Sequence, residues 1–568
     1  MSQLFDKIKV GAPSRSTFDL SHNQVMTSDF GYLTPVCVRD MVPNDDFVIT
    51  PNIFVRLMSL WAPVYGNIKI RLHHFFVPYR ILYPDWDAFI SQDKSNNTIP
   101  PYFLISTLRQ ALNVDPQFNT EPTTNLRRGI YGRLMANLGL NPELIMSTEG
   151  LASTDRISAF RFLAYYRIWL DWFMDSNIYD HSQEVRTFNS HIANGGSMAV
   201  YGQYLQTRNC CYKKDYFTTA KVNPQDGSSP SVVEVQVNPV FRPTGSNAQM
   251  YAYTDGDIGS GTSRKSSIVG QFSVEALRAA NSLQRYLERN NFVGSKTINR
   301  LLAHFGIAPA PERLDMAEFI GGSSFSPAIG DVTSTSFSID SHGQSSGNEG
   351  LGFMAGKGLG GRSMESVRYH AKEHGVFMSI MSILPDTAYY QGIDRNFQKG
   401  VFGDPLDFFH PEFENLGYQE ILNKEVYVPT PSVQYDDYDP DGIFGFTPRY
   451  SEYKFQNDTL SGDFVGNPLP SFNNGSTPMD SWHLFRKLIY DQDDQLALNQ
   501  NFVECDNQNN DYDRIFQYMS SRYDHFYFNI RFDVKATRPM SGFGEPSLDA
   551  NNSAAGNSMN LPYGGTRL

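Results

Sequence analysis

The densest set of reactive side chains is the run His370, Ala371, Lys372, Glu373, His374, which has the order H-x-x-E-H. On a helix, that spacing sets two imidazoles one turn apart to hold zinc while the carboxylate between them activates water. Gly375 and a β-type run follow at once and no third ligand announces itself, so the run reads as structural, with a zinc hydrolase kept as an alternative. His73 and His74 are neighbours on a strand-like run and point to opposite faces, so they cannot chelate one ion together. Gly356, Gly358 and Gly361 satisfy G-x-G-x-x-G, but a dinucleotide site needs a buried strand before them, and SSGNEGLGFMA is not one. Asp437, Asp439, Asp441 and Gly442 open like a calcium loop. Pro448 stands where the bidentate glutamate belongs, so the stretch reads as a solvated acidic turn, with weak calcium binding kept as an alternative.

Two groups of cations remain: Arg127, Arg128 and Arg133, and then Arg208, Lys213 and Lys214 beside Tyr212, Tyr216 and Phe217. Cations interleaved with aromatics pair with phosphates and stack bases, so Arg127, Arg128, Arg133, Lys213 and Lys214 are candidate contacts to single-stranded DNA. Ordinary ion pairing explains them equally well, because Lys+Arg total 47 against 60 Asp+Glu, a net charge of −13. That balance excludes coating nucleic acid by bulk charge. Cys37, Cys210, Cys211 and Cys505 show neither zinc spacing nor a disulfide framework, and free thiols fit folding in a reducing cytoplasm. No cofactor is implied.

The elements that must position these groups are mainly strands. In FYFNIRFDVKA (526–536) apolar and polar residues alternate without a break, the pattern of a half-buried strand. Burying its apolar face contributes on the order of 8–15 kcal/mol gross. The partner expected to cover it is IKIRLHHFFV (68–77), so first and last strands predict one long-range β-sandwich or jelly roll whose loops have grown. Between residues 31 and 78, the runs TPVCVRDM, DDFVIT and FVRLMSLW are punctuated by Pro43-Asn44, Pro51-Asn52 and 63–66, as in a meander. VFMSIMSIL (376–384) is apolar on both faces and belongs inside the sandwich.

Residues 1–30 read as a polar N-terminal arm that gains order by lying across something else, and residues 31–568 as one domain with insertions. Residues 79–200 are partly helical: RISAFRFLAYYRIWLDWFMD (156–175) predicts a buried helix with Arg167 and Asp171 at i,i+4. Residues 273–291 and 297–305 predict a surface helix pair, with Gly306 at a C′ position. Residues 222–270 and 328–361 are long excursions rich in Gly and Ser, the first holding the strand-like VVEVQV. After Pro385 the chain runs through acidic and aromatic turns to Tyr450. The N-terminus lacks the apolar core of a signal peptide, and no run approaches the length of a membrane span.

Several longer runs are familiar together: EHGVFMSIMSILPDTAYYQGIDRNF (373–397), HPEFENLGYQEILNKEVYV (410–428), FGFTPRYSEYKF (444–455), MDSWHL (479–484) and ATRPM (536–540). With FDLSH (18–22), DFGYLTPVCVRDMVPNDDF (29–47), FFVPYRIL (75–82), KKDYFTTA (213–220) and LLAHFGI (301–307), the chain resembles the major capsid proteins of microviruses, in their gokushovirus-like branch. The resemblance implies an eight-stranded viral jelly roll without catalysis. Many copies would build a T=1 icosahedral shell around circular single-stranded DNA, assembled in the bacterial cytoplasm and ending in the virion. It implies a scaffolding protein, a DNA-pilot protein, a small basic DNA-binding protein and a host cell-surface receptor as partners, with no membrane. It also implies a threefold protrusion, here residues 222–270, with Val222, Asn223, Val233, Tyr251, Tyr253 and Gly270 as candidate host-contact residues. A carbohydrate-binding jelly roll is the other reading, since lectin-like domains share the fold and its aromatic loops.

Overall fold

The computed structural model describes residues 15–91, 99–114, 129–147, 150–193, 195–198, 202–225, 274–294, 296–333, 354–401, 405–429, 438–464, 479–488, 497–506, 511–517 and 524–540. Its strands in chain order are β1 (Ser16–Asp19), β2 (His22–Ser28), β3 (Thr34–Met41), β4 (Asp46–Leu57), β5 (Ile68–Pro78), β6 (Tyr102–Leu104), β7 (Arg156–Ser158) and β8 (Glu318–Phe325). Then come β9 (Ala328–Thr333), β10 (Met354–Ser363), β11 (Val367–His370), β12 (Gly375–Pro385), β13 (Tyr418–Leu422), β14 (Ile443–Pro448) and β15 (Phe526–Arg538).

Alternation decides the first sheet. Phe526, Phe528, Ile530, Phe532 and Val534 of β15 are all buried, while Tyr527, Asn529 and Arg531 between them are exposed. β15 pairs antiparallel with β4 on one side, setting Phe528 opposite Val55 and Ile530 opposite Ile53, and with β2 and β1 on the other. β10 and β11 continue beyond β4, and β9 beyond β10, giving seven strands. The second sheet runs β3-β12-β5-β8. Counting β2, β3, β4, β5, β8, β10, β12 and β15 as strands one to eight, the sheets read 1-8-3-6 and 2-7-4-5, the winding of a jelly roll. One hydrophobic core joins Phe528, Ile530 and Phe532 of the first sheet to Ile70, Leu72, Phe377 and Met381 of the second. Every residue of β12 is buried, because the helix Phe160–Ile168 packs against β5 and β12 from the side away from that core.

Three sequence expectations are corrected. Residues 16–28 of the expected arm are strands: β1 and β2 form the edge beside β15, and the two-residue step between them is closed by Leu20 N–H donating to Val534 O at 2.8 Å. Pro51 is not a turn but lies inside β4. Its missing N–H points to the side where β10 ends and β11 has not begun, and its carbonyl there accepts from Met364 N–H at 2.8 Å, so no ladder bond is lost. The ends of the glycine-rich stretch 328–361 are the paired strands β9 and β10; residues 334–353 between them, the VVEVQV run and residues 1–14 lie outside the described residues.

The helix expected over 156–175 begins as β7, becomes helical from Phe160 to Ile168, and finishes as a π turn, Trp169–Phe173. Arg167 Nε donates to Asp171 Oδ2 at 2.8 Å, as the spacing predicts. Burial raises the Asp171 carboxyl, but Arg167, His181 and the Ala317 N–H outweigh it and hold the group below its ordinary value. The helices Val274–Val293 and Thr297–Phe305 form the expected pair, and Gly306 closes the second at φ 69°, where a side chain would be strained. The stretch after Pro385 is more ordered than its turns suggest: β13 and β14 pair, and a second small core gathers Phe217, Ile421, Phe444 and Phe502.

Candidate functional site

The reactive-looking runs are dispersed by the fold. His370 ends β11 on the surface, with Nδ1 2.7 Å from Asp46 Oδ1. Glu373 accepts from Arg80 Nε at 2.9 Å, and His374 packs edge-on against Trp86 at 5.7 Å. A bend separates β11 from β12, so the helix that zinc presentation requires is absent. His74 is buried, bonds Ser379 Oγ at 2.7 Å and stacks on Phe377, whereas His73 faces Phe173 and Phe319. Burial pushes both imidazoles down to about 4, so both are neutral core residues at pH 7.

The glycine pattern lies within β10, where side chains do not fit. A Cβ on Gly356 would sit 2.3 Å from Ala62 O, and one on Gly358 would sit 2.7 Å from Leu57 Cδ2. Asp441 pairs with Lys424 at 2.6 Å and Asp439 accepts from Asp441 N–H at 3.1 Å, while Asp437 lies outside the described residues. Among the described residues one set of metal-type donors converges, namely Asp29, Asp513 and His525. Its imidazole is engaged internally, 2.9 Å from Asp29 and stacked 4.0 Å on Phe516.

The candidate cations part company. Arg127 and Arg128 lie outside the described residues. Arg133 is 5% exposed, pairs with Asp524 and covers the Tyr32 ring at 4.3 Å, so it is an internal ion pair turned away from solvent. Lys214 pairs with Asp175, and Lys213 beside it is exposed. Of the candidate protrusion residues, Val222 is exposed and Asn223 O accepts from Asn291 Nδ2 at 2.7 Å; Val233, Tyr251, Tyr253 and Gly270 lie outside the described residues.

The feature that sequence reasoning missed is an apolar surface. Phe397 (80% exposed), Val401, Phe408, Phe409, Leu416 and Tyr453 all present apolar area to solvent within one stretch of short turns around β13 and β14. The turns are held firmly beneath: Arg395 pairs with buried Glu425 at 2.8 Å, and Lys399 lies 3.6 Å from the centre of the Tyr453 ring. Burial raises the Glu425 carboxyl, while Arg395 opposes it. The sequence signal is a set of Phe and Leu residues with neither a 2.0 nor a 3.6 period, between Gly, Asp and Pro. Such residues find no inward face in their own chain. Apolar area fixed on rigid turns is suited to contact with another surface.

A jelly roll whose loops are held from below and apolar on top has the form of a protein that works by contact with other surfaces. The chain belongs to the phage capsid protein (F protein) family, whose model matches residues 7–548. It is similar to capsid protein VP1 of Bdellovibrio phage phiMH2K, 25% identical over 570 residues that cover 94% of this chain and 95% of the relative. It is also similar to capsid protein VP1 of Chlamydia phage 1, at 22% identity covering 96% and 98%, and of Spiroplasma virus 4, at 23% covering 84% and 86%. Among the described residues no helix is long and apolar enough to cross a membrane.

Proposed function

We propose that the chain is the major capsid protein of a small single-stranded DNA bacteriophage, and that its copies close into a T=1 icosahedral shell around the genome. The observation that carries this is the family match over residues 7–548. The exposed apolar turns around Phe397 and Phe408 supply the kind of surface that repeated subunit contacts bury. The protein works by contact and not by catalysis. Its net charge of −13 suits a division of labour in which a small basic protein neutralises most of the DNA and this chain adds local contacts, with Lys213 and Lys214 as candidates. A scaffolding protein, a DNA-pilot protein and a host receptor complete the set of partners, and residues 222–270 form the host-contact protrusion.

The test is sedimentation of the protein expressed with its phage's other structural genes, with imaging of the fastest fraction. Uniform isometric particles are expected. A slow monomeric peak in the presence of those partners overturns the shell reading.

A further inference from the structure

At one end of the sandwich, where the β1–β2 step, the end of β3 and the end of β15 meet, a surface cavity of about 480 Å³ is lined by Ser21, His22, Arg39, Asp40, Arg161 and Arg538. Three guanidiniums and one carboxylate face it, in a protein whose overall charge is negative. Two of the arginines are already neutralised: Arg161 pairs with Asp40 at 2.8 Å, and Arg538 pairs with Asp45 at 3.0 Å while donating to Asp40 O at 2.6 Å.

Arg39 is different. Among the described residues no carboxylate pairs with it, and its Nε is buried without a hydrogen-bond partner. Its Nη2 has only the His22 imidazole, whose Nδ1 lies 3.1 Å away and also 3.1 Å from Leu20 O. That nitrogen serves one neighbour at a time, accepting from Arg39 as a bare nitrogen or donating to Leu20 O as N–H. A guanidinium held beside a part-time acceptor lacks the planar, two-oxygen partner its fork matches best.

Just beyond the cavity, Tyr79 Oη donates to Asp40 Oδ1 at 3.1 Å, and the Tyr79 ring packs on Phe160 at 4.5 Å and on Trp86 at 4.8 Å. These half-buried rings form a ledge on the Asp40 side of the cavity. The volume is of the order that holds a nucleotide and is generous for a lone inorganic anion. We infer that this cavity binds a phosphate group of single-stranded nucleic acid, with Arg39 as its principal ligand and the Tyr79, Phe160 and Trp86 rings offering stacking area to an adjoining base. The inference rests on the shell reading for its source of strand, and it adds a site apart from Lys213 and Lys214.

An oncoming phosphate gives Arg39 two anionic oxygens and releases His22 Nδ1 to donate to Leu20 O. Asp40 opposes the ligand by charge, so it limits affinity.

The test is fluorescence anisotropy of a labelled oligothymidylate of about ten nucleotides titrated with the full chain over a range of salt. Arg39→Gln is expected to weaken binding about five- to tenfold and to lower the salt slope by about one. Arg161→Gln, at a surface position 44% exposed, frees the Asp40 carboxylate and is expected to weaken binding as well, whereas Asp40→Asn is expected to tighten it. Inorganic phosphate at millimolar concentration is expected to compete weakly. Unchanged affinity and slope in Arg39→Gln overturn the site, as does a wild-type chain that binds inorganic phosphate but not the oligonucleotide. Sedimentation of the same preparations separates the two readings: normal particles with Arg39-independent binding overturn the cavity alone, and absence of particles from the unaltered chain overturns the shell.

Discussion

Arg133 meets Asp524 through two hydrogen bonds, 2.9 Å to Oδ1 and 3.1 Å to Oδ2, although 391 residues separate them in the chain. Both side chains are almost fully buried, and Tyr32 covers the guanidinium. Arg133→Met leaves Asp524 charged in the interior and is expected to destabilise the unassembled subunit by about 3–5 kcal/mol. Adding Asp524→Leu removes the orphaned charge and is expected to recover most of that loss. Urea unfolding of both variants checks the pair.

Phe528 is buried near the start of β15, opposite Val55 of β4. Phe528→Asp places an unpaired carboxylate in the sandwich core and is expected to abolish soluble protein. Phe528→Leu keeps the face apolar and is expected to remain soluble. Comparing soluble yields is sufficient, and a soluble, assembling Phe528→Asp chain contradicts the burial of this face.

Burial pushes the Glu504 carboxyl up to about 7, against a hydrogen bond from Gln500 Nε2 at 3.0 Å. In the unfolded chain the group titrates near ~4.3, so the folded state holds an extra proton between these values and stability declines as pH rises through that window. Glu504→Gln is expected to remove the decline, gaining about 2–3 kcal/mol over wild type by pH 8. His73 and His74 act in the opposite direction: both are held down to about 4, so stability falls as pH drops from ~6.5 towards 4. Denaturation midpoints across pH 4–8 for both proteins resolve the two limbs.

Phe397 is 80% exposed, so Phe397→Glu costs the isolated subunit little. If copies bury this surface in the shell, a charge there is expected to reduce particle formation strongly while leaving the subunit's unfolding midpoint unchanged. Particle yield by sedimentation, read against that midpoint, distinguishes an assembly surface from an idle patch.

Removing residues 222–270 is expected to leave shells intact and to lower attachment to host cells. Binding of purified particles to cells measures it, and undiminished attachment contradicts the host-contact role.

Much of the sandwich is legible in sequence because a strand's faces are written locally. β15 declares its buried side by alternation and β12 declares two buried sides by having no polar one, and both are found where those patterns place them. What each strand lies beside is not written locally. Pro51 reads as a break until the gap between β10 and β11 gives its absent N–H a place, and residues 16–28 read as an arm until β15 offers them an edge. Charges are less legible still. Arg133 has the composition of a phosphate contact, and only folding reveals Asp524 beside it. The cavity around Arg39 draws on four separated segments, so no window of sequence contains it.

β15 is flanked by β4 on one side and by β1 and β2 on the other, so the first sheet lacks an inner strand until residues 526–538 are available. For a ribosome still reading the message, β1, β2 and β4 wait for a segment made long after them. A chain cut short before that segment keeps β4 as an open edge and cannot present a finished subunit. A copy that ends before β15 therefore has no closed first sheet to bring to an assembly.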